Sequence, residues 1–205
     1  MGDLAGIKKK ITDMAQTVLN MWQETFRAFM EHNIDLIAEI LKEEEKLNRW
    51  EEEITADIVT YSRGLSDKKE ELKALIYVEV VEDLELIGDY CKDILERVQI
   101  KIEEKLLFTE DAVKEYDELY HKTENALNEI VGAFKNDDIE SIKVVLKKQE
   151  HIDALVDQYR ARHNQRMING VCSPMACNMF LNMLDFTAAV YYHAKKIARN
   201  LLKIK

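Results

Sequence analysis

Five carboxylates stand three and four residues apart in "VEDLELIGDYCKDILERV", at Glu82, Glu85, Asp89, Asp93 and Glu96. At about 100° per residue they share one narrow arc of a helix, while Val80, Leu84, Ile87, Cys91, Ile94, Leu95 and Val98 lie opposite. Charge on the outer face of a packed helix explains such a row without any ligand. Yet like charges at these spacings repel by a few tenths of a kcal/mol per pair, and only Lys92 and Arg97 lie close enough in sequence to relieve them. Grouped carboxylates are hard oxygen donors, suited to magnesium, calcium, manganese or iron. The residues alone leave both readings open.

Two other groups carry potential chemistry. "RARHNQR" places Arg160, Arg162, His163 and Arg166 in the one basic island of an acidic chain, near a helix C-terminus that favours cations. Arg162, His163 and Arg166 are also candidates for an anion or partner contact. "ELYH" supplies a Glu-x-x-His pair, Glu118 and His121. Di-iron helical bundles need two such pairs with two further glutamates, so a metal-dependent enzyme or ion store is the weaker alternative, beside a generic helical scaffold. No Gly-rich phosphate loop, dinucleotide fingerprint or Ser–His–acid grouping is present, which points to a non-enzymatic protein.

The elements that must position these residues are long helices. The chain has 205 residues, 47% apolar and 33% charged, with only 6 Gly and 1 Pro, too little turn material for a sheet protein. A net charge of -10 argues against nucleic acid, whose affinity depends on Lys and Arg neutralising phosphates. Cys91, Cys172 and Cys177 have no disulfide-framework spacing, and Cys172 and Cys177 have no nearby His or second Cys pair in the sequence. No zinc site is therefore expected, and all three are expected to be reduced and partly buried in a cytoplasmic protein. No apolar run reaches the roughly 18–20 residues that cross a bilayer, and "MGDLAGIKKK" reads as no secretion signal.

Periodicity predicts six helices. They run from about Ile7 to Glu31, from an Asn33 cap to Ser62, and from a Ser66 or Asp67 cap to Leu106. Three more follow: Asp111 to Lys135 capped by Thr109, one opened by an Asp137/Glu140 capping box, and a last one capped by Ser173 with Pro174 in its first turn. Gly64 is the expected left-handed closure of the second helix, and Gly170 is expected to close the fifth. "IDLIAEILKEEEKLNRW" from Ile34 aligns with "IESIKVVLKKQEHIDAL" from Ile139, pairing Ile37 with Ile142, Leu41 with Leu146, Glu45 with Glu150, Leu47 with Ile152 and Trp50 with Leu155. Ile87, Cys91 and Ile94 pair with Val190, Ala194 and Ile197. The expectation is an all-α protein of two tandem three-helix bundles, residues 1–106 and 107–205.

"DLELIGDYCKDI" (residues 83–94) resembles the "DLERIGDHAxNI" signature of PhoU proteins, regulators of phosphate transport. "RHNQRMINGVCSPMACNMFLNMLDFTAAVYYHAKKIA" resembles the matching segment of the second half, and "LSDKKEELKAL" and "KIEEKLLFTEDA" are most similar to the PhoU-like cytoplasmic domain of sodium/phosphate cotransporters. The resemblance implies two three-helix repeats, each with an acidic E/D-x-x-x-D pair on its third helix that can hold metal at the bundle surface. Glu85 and Asp89 keep that pair, whereas Ala188 and Tyr192 stand at the second repeat's positions. The second-helix "E-x-I-D" pattern survives as Glu150, Ile152 and Asp153, but reads Glu45, Leu47 and Asn48 in the first repeat. One reduced site is therefore expected, a divalent or iron ion on Glu85 and Asp89 helped by Glu82 or Glu45. The implied partner is a membrane phosphate transporter or sensor protein, contacted from the cytoplasmic side without membrane insertion, by a monomer or a homo-oligomer.

Overall fold

The structure is a computed structural model that describes residues 3–204 except 137, 139, 141 and 148, with the side chains of 149–151 also outside the description. Helix α1 spans Leu4–Glu31, α2 Ile34–Ser62, α3 Lys68–Glu103, α4 Glu110–Asn136, α5 Lys143–Lys147, α6 Gln149–Ile168 and α7 Pro174–Leu202. Six of these are long. The expected fifth helix corresponds to α5 and α6, on either side of residue 148. The Asp137 half of its capping box lies outside the described residues, and Asp138 accepts the Glu140 N–H at 3.1 Å.

The helices start where short polar side chains can satisfy free N–H groups. Asn33 accepts from Asp35 and Leu36, Asp67 from Lys69, Thr109 from Ala112, and Ser173 from Ala176. The closures are less legible. Gly170 closes α6 as expected, with a left-handed φ of 68°, and the Val171 N–H returns to the Arg166 carbonyl at 2.9 Å. Gly64 does not adopt this conformation; His32 and Lys105 do, at φ 53° and 52°. Their following residues, Asn33 and Leu106, return hydrogen bonds to Ala28 and Lys101, so the closing bond itself selects the left-handed turn in non-glycine residues.

Helices α1, α2 and α3 pack on one another, as do α4, α6 and α7, with α5 against α6 and α7. The two triplets meet where α3 lies along α7 and α1 along α4, and one apolar core runs through both. The stripe Ile7, Ile11, Met14, Ala15, Val18, Met21 and Trp22 is buried throughout. The repeat is visible in matched burial: Ile37 with Ile142, Leu47 with Ile152, Ile87 with Val190, Cys91 with Ala194 and Ile94 with Ile197 are all core residues. Ile139 and the side chain of Glu150 lie outside the described residues.

Helices α2 and α3 approach most closely at Gly88. A Cβ placed there would come within 2.6 Å of Leu47 Cδ1. Gly132 in α4, by contrast, faces open space, with nothing within 4 Å of such a Cβ. Gly88→Val is therefore expected to destabilise the protein by about 1–3 kcal/mol through overpacking. Gly132→Ala should gain up to about 1 kcal/mol from helix propensity. Urea denaturation followed by circular dichroism measures both, and equal midpoints for the two variants would refute the close approach.

Candidate functional site

The acidic row sits on the edge of the α2–α3 groove rather than wholly in solvent. Glu82 and Glu96 are exposed, whereas Glu85, Asp89 and Asp93 are half-buried. Across the groove the acid that meets them is Glu44, which is 4% exposed, not its neighbour Glu45, which points to solvent. Glu44 accepts from Lys92 at 3.0 Å and from Asn48 at 3.1 Å, and shares a hydrogen bond with Asp89. The sequence pattern that named Glu45 is thus one position away from the side chain that turns inward. Leu47, seated on Gly88, fixes that phase: Glu44, three residues earlier, shares its helix face.

Electrostatics follow from this crowding. Burial pushes the Glu85 carboxyl up to about 7, and Asp89, Glu51, Glu44 and Glu82 add repulsion in the same direction. Asp89 is raised by burial and by its bond to Glu44, and Asp93 by burial and by Glu96. Burial works against ionised Glu44 too, but the hydrogen bonds from Lys92 and Asn48 outweigh it and lower its pKa. Lys92 is the cation that hydrogen-bonds into the group. The donor set is hard, negatively charged and under-neutralised, which suits one cation. It is not a preformed cage, because the acids do not include three oxygens within 4.8 Å of one another among the described residues.

Among the described residues the second triplet offers no equivalent. Ala188 is half-buried and Tyr192 is 54% exposed at the matching positions. The buried acid of that seam is Asp83, which sequence reading did not single out. It accepts from His193 Nδ1 at 2.8 Å and Lys196 Nζ at 2.9 Å. Its helical phase between Val80 and Ile87 was the available signal, since an acid inside an apolar stripe must find a partner.

The basic island is largely spent inside the fold. Both terminal nitrogens of Arg166 donate to Glu115, at 3.1 and 2.5 Å, and Arg162 reaches the same carboxylate at 3.6 Å. Arg160 pairs with Asp185. His163 is buried, with its pKa lowered by burial and by Arg166. The groove between α4 and α6 carries Lys114, Arg162 and Arg166 but also Asp111, Glu115 and Glu118, a mixed lining rather than an anion cradle. Glu118 accepts from Tyr159 at 2.6 Å and His121 pairs with Glu124 at 3.1 Å, so this Glu-x-x-His pair is engaged locally and belongs to no three-ligand group among the described residues.

The cysteines correct the expectation of three free thiols. Cys91 is free and buried, but Cys172 and Cys177 are joined in a disulfide. The turn that follows α6 brings them together, which their spacing alone did not signal.

A raised carboxyl pKa has a defined sign. Protonated Glu85 suits the fold better than ionised Glu85, so its contribution is complete below the ordinary value of 4.5 and is lost as pH rises through about 7. In chelator-treated protein, the thermal midpoint of Glu85→Gln relative to wild type should therefore climb between pH 5 and pH 8. A constant difference across that range would contradict the crowding.

Residues 11–98 match the PhoU domain. Over 90 residues the chain is 30% identical to the phosphate-specific transport system accessory protein PhoU homolog 1 of Thermotoga maritima, a stretch covering 44% of this chain and 38% of that protein. The crystal structure of PhoU from Pseudomonas aeruginosa superposes with a TM-score of 0.92 at 16% identity, covering 98% of this chain and 96% of that one. The phosphate transport system regulatory protein PhoU from Streptococcus pneumoniae gives 0.87 at 15% identity, covering 98% and 94%. The PhoU domain match covers residues 11–98, and the fold follows the two PhoU structures over 98% of the chain.

Proposed function

We propose that this chain is a non-enzymatic regulatory or accessory module of phosphate transport, working by docking onto a membrane phosphate transporter or an associated sensor. The observation that carries this reading is the PhoU domain at residues 11–98 inside a chain whose whole fold follows PhoU. Among the described residues no helix is long and apolar enough to cross a membrane, so the reading assigns transport itself to another chain or region. The two triplets, 1–106 and 107–205, act in it as one body, because their seam is continuous core rather than a linker.

Within this reading Glu85 and Asp89 hold one hard cation, a divalent or iron ion, with Glu44 and Glu82 at its margin. Such an ion would supply positive charge to a ledge into which, among the described residues, Lys92 is the cation that hydrogen-bonds. Half-burial matters here: these carboxylates are accessible from outside, yet water neutralises them less than it does exposed acids. Ala188 and Tyr192 confine the proposal to the first triplet.

Two measurements test this. Removing the chain from its cell should change phosphate uptake under phosphate-replete conditions, and the tagged chain should recover a phosphate transporter; unchanged uptake with no transporter recovered would refute the regulatory role. Elemental analysis after mild purification should find about one equivalent of metal in wild type and far less in Glu85→Ala and Asp89→Ala. Equal metal in all three proteins would remove the ion and leave the regulatory reading standing.

A further inference from the structure

The turn between α6 and α7 assembles three side chains that the sequence holds apart. His163 lies near the end of α6, Cys172 just before the Ser173 cap, and Cys177 in the first turn and a half of α7. The fold brings one ligand atom from each within 4.8 Å of the others. Cys172 and Cys177 occupy the N′ and N4 positions around the cap, where two apolar side chains commonly close over a helix start. A covalent pair takes that place here, with Cα atoms 6.0 Å apart.

We propose that, with both thiols reduced, Cys172, Cys177 and His163 bind a zinc ion, and that the disulfide is the closed state of this site. Two thiolates and an imidazole are the borderline-soft donors that zinc prefers over the hard cations suited to the acidic ledge. Three protein ligands leave a fourth position for water or an incoming ligand.

The surroundings of His163 match what a metal-binding histidine needs. Arg166 donates toward Nδ1 at 3.2 Å, so Nε2 carries the hydrogen and donates to the Cys177 carbonyl at 3.0 Å. That outer bond orients the ring and sets its tautomer, as carbonyl partners do for metal-bound histidines. Stacking on Phe180, with ring centroids 4.3 Å apart, holds the plane. With Nε2 so engaged, Nδ1 is the nitrogen left for a cation, which would displace the Arg166 contact; Arg166 keeps its charge paired on Glu115 when it yields. Cys177 is wholly buried and Cys172 half-exposed, so the group is closed on the Cys177 side and reachable at Cys172.

Opening the site is a two-electron reduction. A dithiol reductant breaks the Cys172–Cys177 bond and becomes its own disulfide, and its two protons pass to the cysteine sulfurs. Zinc then displaces both protons as it binds. Oxidation by a disulfide-bearing small molecule reverses the sequence and expels the ion.

The test titrates zinc against a chromophoric chelator, using the full chain as the disulfide and after reduction and anaerobic desalting. Reduced wild type should take up one equivalent and the disulfide form none. Cys172→Ser, at a half-exposed position that leaves the core intact, should weaken uptake at least about tenfold, as should His163→Gln. Cys91→Ser should bind like wild type, because Cys91 is buried and absent from the three-ligand group. Failure of reduced wild type to compete for zinc would overturn the proposal. So would uptake that survives Cys172→Ser but vanishes in Glu85→Ala, which would place the ion on the acidic row.

Discussion

Asp83 has no solvent exposure and sits between the two triplets, with one carboxylate oxygen held by His193 and Lys196. A buried carboxylate without partners costs several kcal/mol, so α3 and α7 must keep the one sliding position at which both donors reach it. Glu79 and Asn200, 2.7 Å apart one turn toward the start of α3, reinforce that register, and two turns the other way Tyr90 packs beside Phe186 and His193. Apolar packing alone tolerates small slippage between long helices; a charge-assisted pair does not. The orientation of the acidic row relative to everything else depends on this seam, because α3 carries Asp83 toward α7 and Glu85 and Asp89 toward α2.

The two halves keep one scaffold but not one chemistry. Matching apolar positions are buried in both, while the polar residues placed on that frame have diverged. Glu85 and Asp89 have Ala188 and Tyr192 as counterparts, so that acidic pair is not repeated at the matching positions. By the same spacing, His163 stands where the first triplet has Ile58 and Cys177 where it has Ala74, both of them core residues. An imidazole and a sulfur in place of two apolar side chains must find polar work, and the Cys177 carbonyl, Arg166 and Cys172 provide it. Cations differ as well: Lys92 serves the ledge, whereas the arginines of α6 are committed to Glu115 and Asp185.

The order of the long helices and most of their starts were legible in the sequence because they are local. The expected fifth helix is instead α5 and α6, and the first begins at Leu4 on an Asp3 cap rather than near Ile7. An Asn, Asp, Thr or Ser before an apolar stripe satisfies free N–H groups wherever it occurs. Closures were less so: Gly64 looked like a left-handed cap, yet His32 and Lys105 take that conformation, since a returning 6→1 hydrogen bond can offset the modest strain of a non-glycine residue. What required two helices at once was hidden. Glu44 rather than Glu45 faces Asp89 because of the phase of α2 against α3, a tertiary quantity. His163 joins Cys172 and Cys177 because the turn after α6 reverses the chain, and no spacing in the sequence states that reversal.

The glycine and the acids of "LIGD" form one device. Gly88 lets Leu47 sit where a side chain would otherwise stand, so the α2 and α3 backbones approach closely at that level. Close approach brings Glu44, three residues before Leu47, against Asp89, one residue after Gly88. It also half-buries Glu85 and thereby withdraws the water that would neutralise it. A larger residue at position 88 would separate the helices, rehydrate the carboxylates and return each toward its ordinary acidity. The unusual electrostatics of the ledge thus depend on an uncharged residue, which sets the approach at which burial and like charge act, and the motif is recognisable as a unit because neither part has this effect without the other.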